Sequence, residues 1–352
     1  MRFGTFHEYA APPWTNPHDV VQQQFEHMLA AEAAGFYELW LAEHNGRRYG
    51  MGGNCVTTAA SAAGATSRIR IATAITRLPL HNPLHLAEDL AYVDVLSQGR
   101  LDWGIGKGYD PLEFGSYGVA IEERDERWEE CFQAVRQMWR TGRTEFAGKI
   151  YKHADGELQP VPLQRPELPT WMMVSGSEPT VVWAAEQGIP IVIGSGPPWD
   201  DIRSRLEMYG EVATRAGHSP ELVKHNLANT WQLRLVHVAN TRERAIAEFR
   251  EGCMWYMEAL ANRAMFGFAR EHQPYEYYVE HKGLVLGSPD DVGEEMERYA
   301  EKTGVNNLLC WFNIGGQPHA QVLSAIQRFG EEVMPRLKGA GFNWGGLTAA
   351  AD

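Results

Sequence analysis

An acid and an imidazole follow one another where a predicted strand ends. The run W-L-A-E-H closes on Glu43 and His44, directly after the apolar stretch Glu38–Leu41. An unperturbed histidine titrates at about pH 6.5, so His44 could act as an acid or base at neutral pH, or could simply hydrogen-bond a carbonyl group. If the strand belongs to a parallel α/β barrel, both side chains lie on the rim that carries catalytic residues.

A second segment joins a strand to a glycine-rich turn that carries one cation. It runs L-D-W-G-I-G-K-G-Y-D-P from position 101 and contains Lys107 and Tyr109. Glycine lets the backbone approach a ligand closely, and lysine supplies a compact positive charge that suits a phosphate. The glycines do not have the spacing of the dinucleotide-binding fingerprint and do not open a helix. The pattern therefore indicates a phosphate contact without an NAD(P)H site.

Small and hydroxyl residues follow the strand predicted over Thr170–Val174, just before a helix begins. They are Ser175, Gly176, Ser177 and Thr180. Backbone N–H groups at a helix N-terminus, together with such hydroxyls, form a cradle for phosphate. Ser177 could instead serve only as the N-cap of the helix. Because Lys107 and this segment follow neighbouring strands, the two features predict one shared anion site.

Two further histidines lie near predicted strand ends. His7 follows the last residue of the first strand, and His81 lies in the loop after the third. Either could contact a substrate, and for each a purely structural hydrogen bond is the alternative interpretation. Both rank behind His44 as candidate catalytic residues.

These segments need a scaffold that brings strand ends together, and the chain alternates short apolar runs with helix-like segments almost throughout. Such alternation is typical of βα units around a parallel sheet, and eight runs favour an α/β fold of the (β/α)8 or TIM-barrel type over a doubly wound sheet. We interpret residues 1–352 as a single barrel domain. The predicted strands are Arg2–Phe6, Glu38–Leu41, Ile69–Ile75, Leu101–Ile105, Thr170–Val174, Ile189–Ile193, Thr230–Val238 and Asn307–Phe312.

Two long connections interrupt this alternation. Thr141–Pro169 contains prolines at 160, 162, 166 and 169 and cannot be one continuous helix. His272–Leu286 is rich in tyrosine, histidine and glutamate. We predict insertions after the fourth and seventh strands, because long excursions from a compact barrel are usually lids or binding loops.

The composition excludes several classes of partner. The chain has 352 residues and a formal net charge of −13, whereas binding to nucleic acid or an anionic membrane requires a basic face. No apolar run is long enough to cross a bilayer, and the first residues lack the layout of a signal peptide, which predicts a cytoplasmic protein. The four cysteines lie far apart without a C-x-x-C pair, which indicates reduced thiols and no metal site.

Taken in order, these segments resemble the bacterial luciferase-like flavin monooxygenases over nearly the whole chain. Each piece alone carries little weight, but the ordered set is specific. Besides the segments above, the likeness rests on T-A-I-T-R-L-P-L-H-N-P at 73–83, A-E-D-L at 87–90, S-x-G-R at 97–100, W-A-A-E-Q-G-I-P at 183–190 and G-S-P-D-D-V at 287–292.

The resemblance implies FMN bound at the C-terminal end of the barrel. The pair Ala74–Ile75 matches a position where members of the family often have a cis peptide bond beneath the isoalloxazine ring. Tyr109 would also contact the cofactor. The phosphate would be held by Lys107, Ser175, Gly176, Ser177 and Thr180.

The resemblance also assigns chemistry to two positions. His44 matches the histidine that assists flavin hydroperoxide chemistry in the family. Gly106 stands where luciferase has a reactive cysteine. The missing side chain opens space beside the flavin and argues against light emission on a long-chain aldehyde.

We therefore predict a monooxygenase that uses reduced FMN from a separate reductase, with O2 as co-substrate. The oxygen would be activated as a flavin C4a-hydroperoxide, which survives only where water is excluded. The opening at the C-terminal end of the barrel is called the mouth below. A mouth that is dry and lined with aromatic residues would suit a small apolar or aromatic substrate. The candidate mouth aromatics, for each of which core packing is the alternative, are Phe6, Trp14, Tyr49, Tyr109, Trp199, Trp231 and Trp311.

Two alternative functions remain open at this point. The family also contains deazaflavin-dependent enzymes that transfer hydride without activating oxygen, and a flavin-binding subunit without catalysis is the second alternative. Barrels of this family commonly pair through helices two and three, which predicts a homodimer. The alanine-rich helix predicted over Thr57–Ala65 is consistent with burial in such an interface.

Overall fold

Eight parallel strands close into a barrel. The structure is a computed structural model that describes residues 1–175, 177–261, 273–281 and 283–338. Each strand hydrogen-bonds to the next, and the eighth pairs with the first, so the predicted α/β barrel is confirmed. The barrel strands are β1 Arg2–His7, β2 Glu38–Leu41, β3 Arg70–Thr73, β4 Leu101–Gly106, β5 Thr170–Val174, β6 Ile191–Ile193, β7 Trp231–Val238 and β8 Asn307–Trp311.

Besides shifts of one or two residues at several strand ends, the observed strands depart from the prediction at the third strand and by one added strand. The third was predicted as one run to Ile75, but β3 ends at Thr73 and a separate short strand, Thr76–Arg77, pairs with β4. The peptide bond between Ala74 and Ile75, which is cis, separates the two pieces. A short strand that the sequence analysis did not predict, Val285–Gly287, lies parallel to the end of β7.

Helices cover the outside of the barrel and connect its strands. Several begin at an asparagine whose side chain accepts a hydrogen bond from the backbone N–H groups of the first turn, as at Asn16, Asn54 and Asn82. The α-helices of the described residues are α1 Pro17–Ala33, α2 Cys55–Ala65, α3 Pro83–Leu96, α4 Pro111–Ser116, α5 Arg124–Thr141, α6 Glu178–Glu186, α7 Trp199–Arg215, α8 Pro220–Ala228, α9 Arg242–Ala261, α10 Tyr275–His281, α11 Pro289–Thr303, α12 His319–Arg328 and α13 Met334–Lys338. None of them has the length and apolarity of a bilayer span.

Buried apolar side chains form an outer and an inner cluster. The outer cluster lies between the strands and the helices. The inner cluster fills the barrel, where the Trp40 ring centroid lies 6.1 Å from that of Trp171 and 5.9 Å from that of Trp231. It continues through Trp311 of β8 to Tyr256 of α9, with a centroid distance of 4.9 Å. Helix α9 therefore packs over one side of the barrel mouth.

The two long connections differ in content. The first, from α5 to β5, contains an antiparallel hairpin of Phe146–Ala147 and Lys152–His153 and has no helix. The second runs from β7 to α11 and contains α9, α10 and the strand Val285–Gly287. Residues 262–272 and 282, which include part of the predicted second insertion, lie outside the described residues.

Candidate active site

Small residues occupy the top layer of the barrel interior on one side of its mouth. Ala42 follows β2 and Ala74 follows β3, and both are buried in the inner cluster above Trp40. Gly106 ends β4 at the same level. A Cβ on Gly106 would lie 2.1 Å from Cδ1 of Ile75. The side chain of Ile75 thus occupies space that the sequence analysis assigned to an opening beside the flavin.

His44 is held at this rim by a carboxylate and a phenol. Its Nδ1 lies 3.0 Å from Oε1 of Glu113 and 3.0 Å from the Tyr49 hydroxyl, which itself donates to Glu113 at 3.4 Å. An ionised carboxylate only accepts hydrogen bonds, so Nδ1 carries the proton of this contact. Gly50 packs against the ring, since a Cβ there would lie 2.7 Å from Cβ of His44. The other ring nitrogen, Nε2, is therefore the atom available for chemistry.

A buried arginine joins two carboxylates beneath His44. Nη1 of Arg77 lies 2.6 Å from Glu113, and its Nε and Nη2 each lie 3.3 Å from Oε1 of Glu43. Nε2 of His81 lies 3.0 Å from the same Glu43 oxygen, and the Cys55 thiol donates to the other oxygen at 3.2 Å. The sequence-predicted His44 and His81 thus belong to one network, through Glu113, Arg77 and Glu43.

The network keeps both glutamates ionised. Burial would raise the pKa of Glu113, but the hydrogen bond from His44 and the charges of His44 and Arg77 outweigh it and lower that pKa to about 2. Burial opposes ionisation of Glu43 as well, and contacts with His81 and Arg77 nevertheless lower its pKa. Removing either cation would leave a buried carboxylate without compensation.

A third buried carboxylate, Glu8, follows β1 and faces His44 from the opposite side. Its Oε1 lies 3.6 Å from Nε2 of His44. The Tyr256 hydroxyl of α9 donates to both Glu8 oxygens at 3.2 and 3.1 Å. Trp311 packs against the Tyr256 ring, and Phe6 packs against Trp311 with ring centroids 5.1 Å apart. Among the described residues, this side of the mouth is therefore aromatic around a buried carboxylate.

Lys107 and the Ser177 segment follow adjacent barrel strands. Ile105 of β4 pairs with Met172 of β5, so Lys107 lies level with Val174, directly before Ser175. Nζ of Lys107 lies 3.1 Å from Asp125 and 4.8 Å from the centroid of the Trp128 ring. The lysine is one-third exposed and its partner is largely exposed, so the ion pair is weak and exchangeable.

Ser177 is the N-cap of α6, and its side chain makes no capping bond to the described helix. Ser175 and Ser177 are exposed and Thr180 is partly buried. Their hydroxyls are thus placed where a ligand at the helix N-terminus could reach them. Gly176 lies outside the described residues. Tyr109 lies nearer the centre of the mouth, 6.2 Å from the His44 ring between centroids.

The structure does not bring His7 together with these residues. Side chains alternate along a strand, and His7 faces α1 whereas Phe6 faces the barrel interior. Its Nε2 hydrogen-bonds to Thr5 at 2.8 Å and its Nδ1 to Gln24 at 3.0 Å. Both ring nitrogens are used in the packing of α1 on β1, which matches the structural alternative considered for this histidine.

Burial of His7 predicts a specific loss of stability in acid. Burial lowers the pKa of His7 to about 4, although the Gln24 hydrogen bond opposes the shift. The unfolded chain has a histidine pKa of about 6.5 and binds more protons below it, so stability falls as the pH drops from about 6.5 to about 4. Between pH 7 and pH 5 this residue should cost about 2 kcal/mol. Urea unfolding of wild type and His7→Asn at both pH values measures the difference.

The exposed His18 of α1 provides the matched control. His18→Asn should keep the wild-type pH dependence, whereas His7→Asn should reduce the loss of stability between pH 7 and pH 5 by about 2 kcal/mol. Equal slopes for all three proteins would contradict the buried-histidine explanation.

Three of the predicted mouth aromatics lie elsewhere. Trp231 is the first residue of β7 and therefore lies at the N-terminal end of the barrel. Trp199 opens α7 and packs on Tyr299 of α11 outside the strands, with centroids 5.4 Å apart. Trp14 is half exposed and packs edge-on against Trp255. The rings that do surround His44, Glu8 and Tyr256 are Phe6, Tyr49, Tyr109 and Trp311.

Sequence reasoning missed four residues of this site. Arg77 stands inside the quoted T-A-I-T-R run but received no role, and Glu113 lies 69 positions after His44. Tyr256 reaches Glu8 from 248 positions away. Of the four, Glu8 could have been found from the local sequence. Residues two apart along a strand face the same side, and Glu8 stands two positions after Phe6, which faces the barrel interior.

Comparison with known proteins identifies one matching family and several similar chains. A family model described as luciferase-like monooxygenase matches residues 1–307. The alkanal monooxygenase alpha chain of the Kryptophanaron alfredi symbiont is 24% identical over 358 residues, covering 96% of this chain and 99% of that protein.

Solved structures show the same fold. Monooxygenase RslO1 from Streptomyces bottropensis has a TM-score of 0.82 and 24% identity, covering 95% of this chain and 99% of its own. The oxygenating constituent of 3,6-diketocamphane monooxygenase from Pseudomonas putida, in complex with FMN, has a TM-score of 0.78 and 21% identity. The match covers 95% of this chain and 98% of that chain. An F420-dependent secondary alcohol dehydrogenase has a TM-score of 0.72 and 18% identity, and the match covers 96% of this chain and 98% of that chain.

The family model covers every barrel strand except the last four residues of β8, and the resemblance noted in the ordered motifs is confirmed. With the barrel closed and an imidazole held at its C-terminal rim, this chain belongs to the luciferase-like monooxygenases.

Proposed function

We propose that this protein binds reduced FMN across the barrel mouth and uses it with O2 to oxygenate a small apolar or aromatic compound. The observation that carries the proposal is the layer of small residues, Ala42, Ala74 and Gly106, which lies between His44, just after β2, and Lys107, just after β4. A flat ring system could rest on this layer because the tryptophans beneath it fill the barrel.

The cofactor phosphate would lie at the ends of β4 and β5. The N-terminus of α6 carries partial positive charge and free N–H groups, and Ser175, Ser177 and Thr180 add hydroxyls. Lys107 would leave its exposed partner Asp125 to meet the phosphate. Ile75 and Tyr109 would border the ring, which fits their positions beside Gly106 and His44.

When bound and reduced, the flavin supplies the electrons that activate oxygen. The task of the chain is to orient this chemistry, exclude water and deliver protons. Nε2 of His44 would hold or donate a proton at the mouth, since Nδ1 is fixed by Glu113. His81 does not reach the mouth through its Nε2, which bonds to Glu43, so we assign it the role of keeping Glu43 ionised.

A flavin titration tests the phosphate position. Lys107→Ala should weaken FMN binding by about tenfold, because a charged donor to a phosphate is lost at a partly exposed site. Asp125→Asn is the matched control: it releases Lys107 from its ion pair and should leave FMN affinity unchanged or higher. Unchanged affinity in Lys107→Ala would remove this lysine from the site.

A deazaflavin-dependent hydride transferase is the second candidate, favoured by the shared fold of the F420-dependent alcohol dehydrogenase. Oxygen uptake with reduced FMN, compared with reduction of a deazaflavin by an alcohol, separates the two. A non-catalytic flavin-binding subunit remains the third candidate. The held imidazole of His44 supports catalysis over that alternative.

The partners of this reaction are also part of the proposal. Reduced flavin would come from a separate reductase, since the sequence has no dinucleotide fingerprint.

A homodimer through α2 and α3 is supported by the exposed apolar residues Tyr92, Val95 and Leu96 on α3. Sedimentation equilibrium would show whether the protein pairs.

A further inference from the structure

A cavity of about 360 Å³ opens beside His44, in the loop that connects β2 to α2. Its lining begins with the His44 imidazole and continues along the loop as far as Gly53. Gly53 has a φ of 60°, and a Cβ added there would meet no atom within 4 Å. This wall of the cavity is therefore open, and a ligand in it would lie next to the imidazole that the proposed function uses.

Two arginines line this cavity, and the first of them is neutralised. Arg47 donates from Nε and Nη2 to the two carboxylate oxygens of Asp110, at 3.0 and 3.1 Å. Because the contact is bidentate, Asp110 cancels most of the Arg47 charge.

The second arginine, Arg48, keeps its charge. Its Nη1 donates to the carbonyl oxygens of Ala11 and Pro12, at 3.0 and 3.3 Å. Both acceptors are neutral, and in the described part of the chain no carboxylate forms an ion pair with this guanidinium. Arginine stays protonated in proteins. Arg48 therefore presents an uncompensated positive charge to the cavity, held against the loop that follows β1.

The carboxylates near His44 decide where an anion could bind. Glu113 accepts the Asn45 N–H at 3.1 Å, and its charge is balanced by Arg77 at 2.6 Å. Glu8 lies 3.6 Å from Nε2 of His44, so an anionic group would be repelled at that nitrogen. The acid group of a ligand is thereby directed to Arg48, and the rest of the ligand to the imidazole.

One uncompensated guanidinium in an open cavity suits a carboxylate. The two oxygens of a carboxylate match the planar fork of arginine and can accept two parallel hydrogen bonds from it. A neutral amide brings one acceptor oxygen and no charge, and an ammonium group would be repelled by Arg48. Met51 adds apolar surface to the same cavity, which suits a ligand with a carbon skeleton beside its acid group.

We infer that the substrate is an apolar or aromatic carboxylic acid, bound as its anion, with the carboxylate on Arg48 and the carbon skeleton over His44. Arg48 is then the residue that determines specificity. The inference rests on the proposed function, which places the reaction at this mouth.

Calorimetric titration with matched acids and amides tests the inference without turnover. The probes are 2-naphthoate with 2-naphthamide and octanoate with octanamide, at pH 7, where carboxylic acids are ionised. In at least one pair, wild type should bind the acid about tenfold more tightly than the amide, because only the acid forms two charged hydrogen bonds with Arg48. Equal or tighter binding of the amide in both pairs would overturn the inference.

Arg48→Gln should reduce this preference to within about threefold. Arg48→Lys, which keeps the charge but not the planar fork, should show an intermediate preference. Arg68→Gln is the matched control, because it removes the same charge from an exposed arginine just before β3, at the N-terminal end of the barrel. An unchanged preference in Arg48→Gln, or an equal loss in Arg68→Gln, would overturn the inference. The wild-type comparison stands even if a variant does not fold.

The phosphate of FMN is a second anion that could reach Arg48. Titrations with oxidised FMN and with riboflavin, which lacks the phosphate, separate the two sources. Under the inference, Arg48→Gln keeps wild-type affinity for both flavins, and the acid preference persists in protein loaded with FMN. A loss of FMN binding in Arg48→Gln with unchanged riboflavin binding would assign Arg48 to the cofactor and overturn the inference.

The same titrations distinguish this inference from the proposed function. If FMN does not bind to wild type but the Arg48-dependent acid preference holds, the flavin proposal falls and the carboxylate site stands. If FMN binds and the preference is absent, the substrate inference alone is overturned.

Discussion

Replacing Arg77 with methionine should lower the free energy of unfolding by about 3–5 kcal/mol. The Arg77 side chain is 2% exposed and forms ion pairs with Glu113 and Glu43, whose side chains are 1% and 3% exposed. Methionine has a similar length but cannot compensate two buried carboxylates, which would have to bind protons or draw in water. Urea unfolding at pH 7, followed by circular dichroism, measures the loss.

Arg47→Met provides the control for this experiment. Arg47 also makes two hydrogen bonds to a carboxylate, Asp110, but its side chain is 36% exposed. Its loss should cost about 1 kcal/mol or less, because solvent screens an exposed ion pair. If the two variants lost the same stability, the buried network would not have the importance that we assign to it.

His44→Ala should reduce oxygenated product per reduced FMN consumed by roughly a hundredfold or more, with a matching rise in hydrogen peroxide. The imidazole is the group whose Nε2 faces the mouth while Glu113 holds Nδ1. Without it, reduced flavin still reacts with oxygen, but the proton that directs the outcome is no longer placed. Oxygen uptake, peroxide and product are measured together in one assay with supplied reduced FMN.

His7→Asn is the matched control, because His7 lies one strand away but faces α1. It should keep wild-type coupling at pH 7. Wild-type coupling in His44→Ala would contradict the role proposed for His44, whereas a loss of FMN binding in that variant would point instead to a role in holding the cofactor.

The order of the elements was predictable from local patterns. Strands such as Leu101–Gly106 and Thr170–Val174 are short apolar runs between amphipathic helices, and their positions in the barrel follow from chain order. Because β4 and β5 are consecutive along the chain, Lys107 and Ser177 could be assigned from sequence to the C-terminal ends of neighbouring strands. The cis bond at Ala74–Ile75 was predicted only through the family resemblance.

Side-chain direction was harder to predict than position along the chain. His7 and Phe6 are adjacent residues, yet one packs under α1 and the other faces the mouth, because alternate side chains leave a strand on opposite sides. Trp231 was assigned to the mouth although it starts β7 and so lies at the other end. In both cases a residue near a strand in the sequence was assigned to the C-terminal rim of the barrel. The assignment ignored which side of the strand the side chain leaves from, for His7, and which end of the strand the residue occupies, for Trp231.

The amino-acid pattern was sufficient for the barrel, the family and the rim positions of His44 and Lys107, since these depend on local periodicity and on ordered motifs. The partners of His44 were decided by the closed barrel alone. Glu8, Arg77, Glu113 and Tyr256 come from four separate connections, and they meet only because closure of the sheet brings the ends of distant strands to one rim. Burial at that meeting point would raise the pKa of Glu113, but the contacts from His44 and Arg77 outweigh it and lower that pKa, which no local pattern contains.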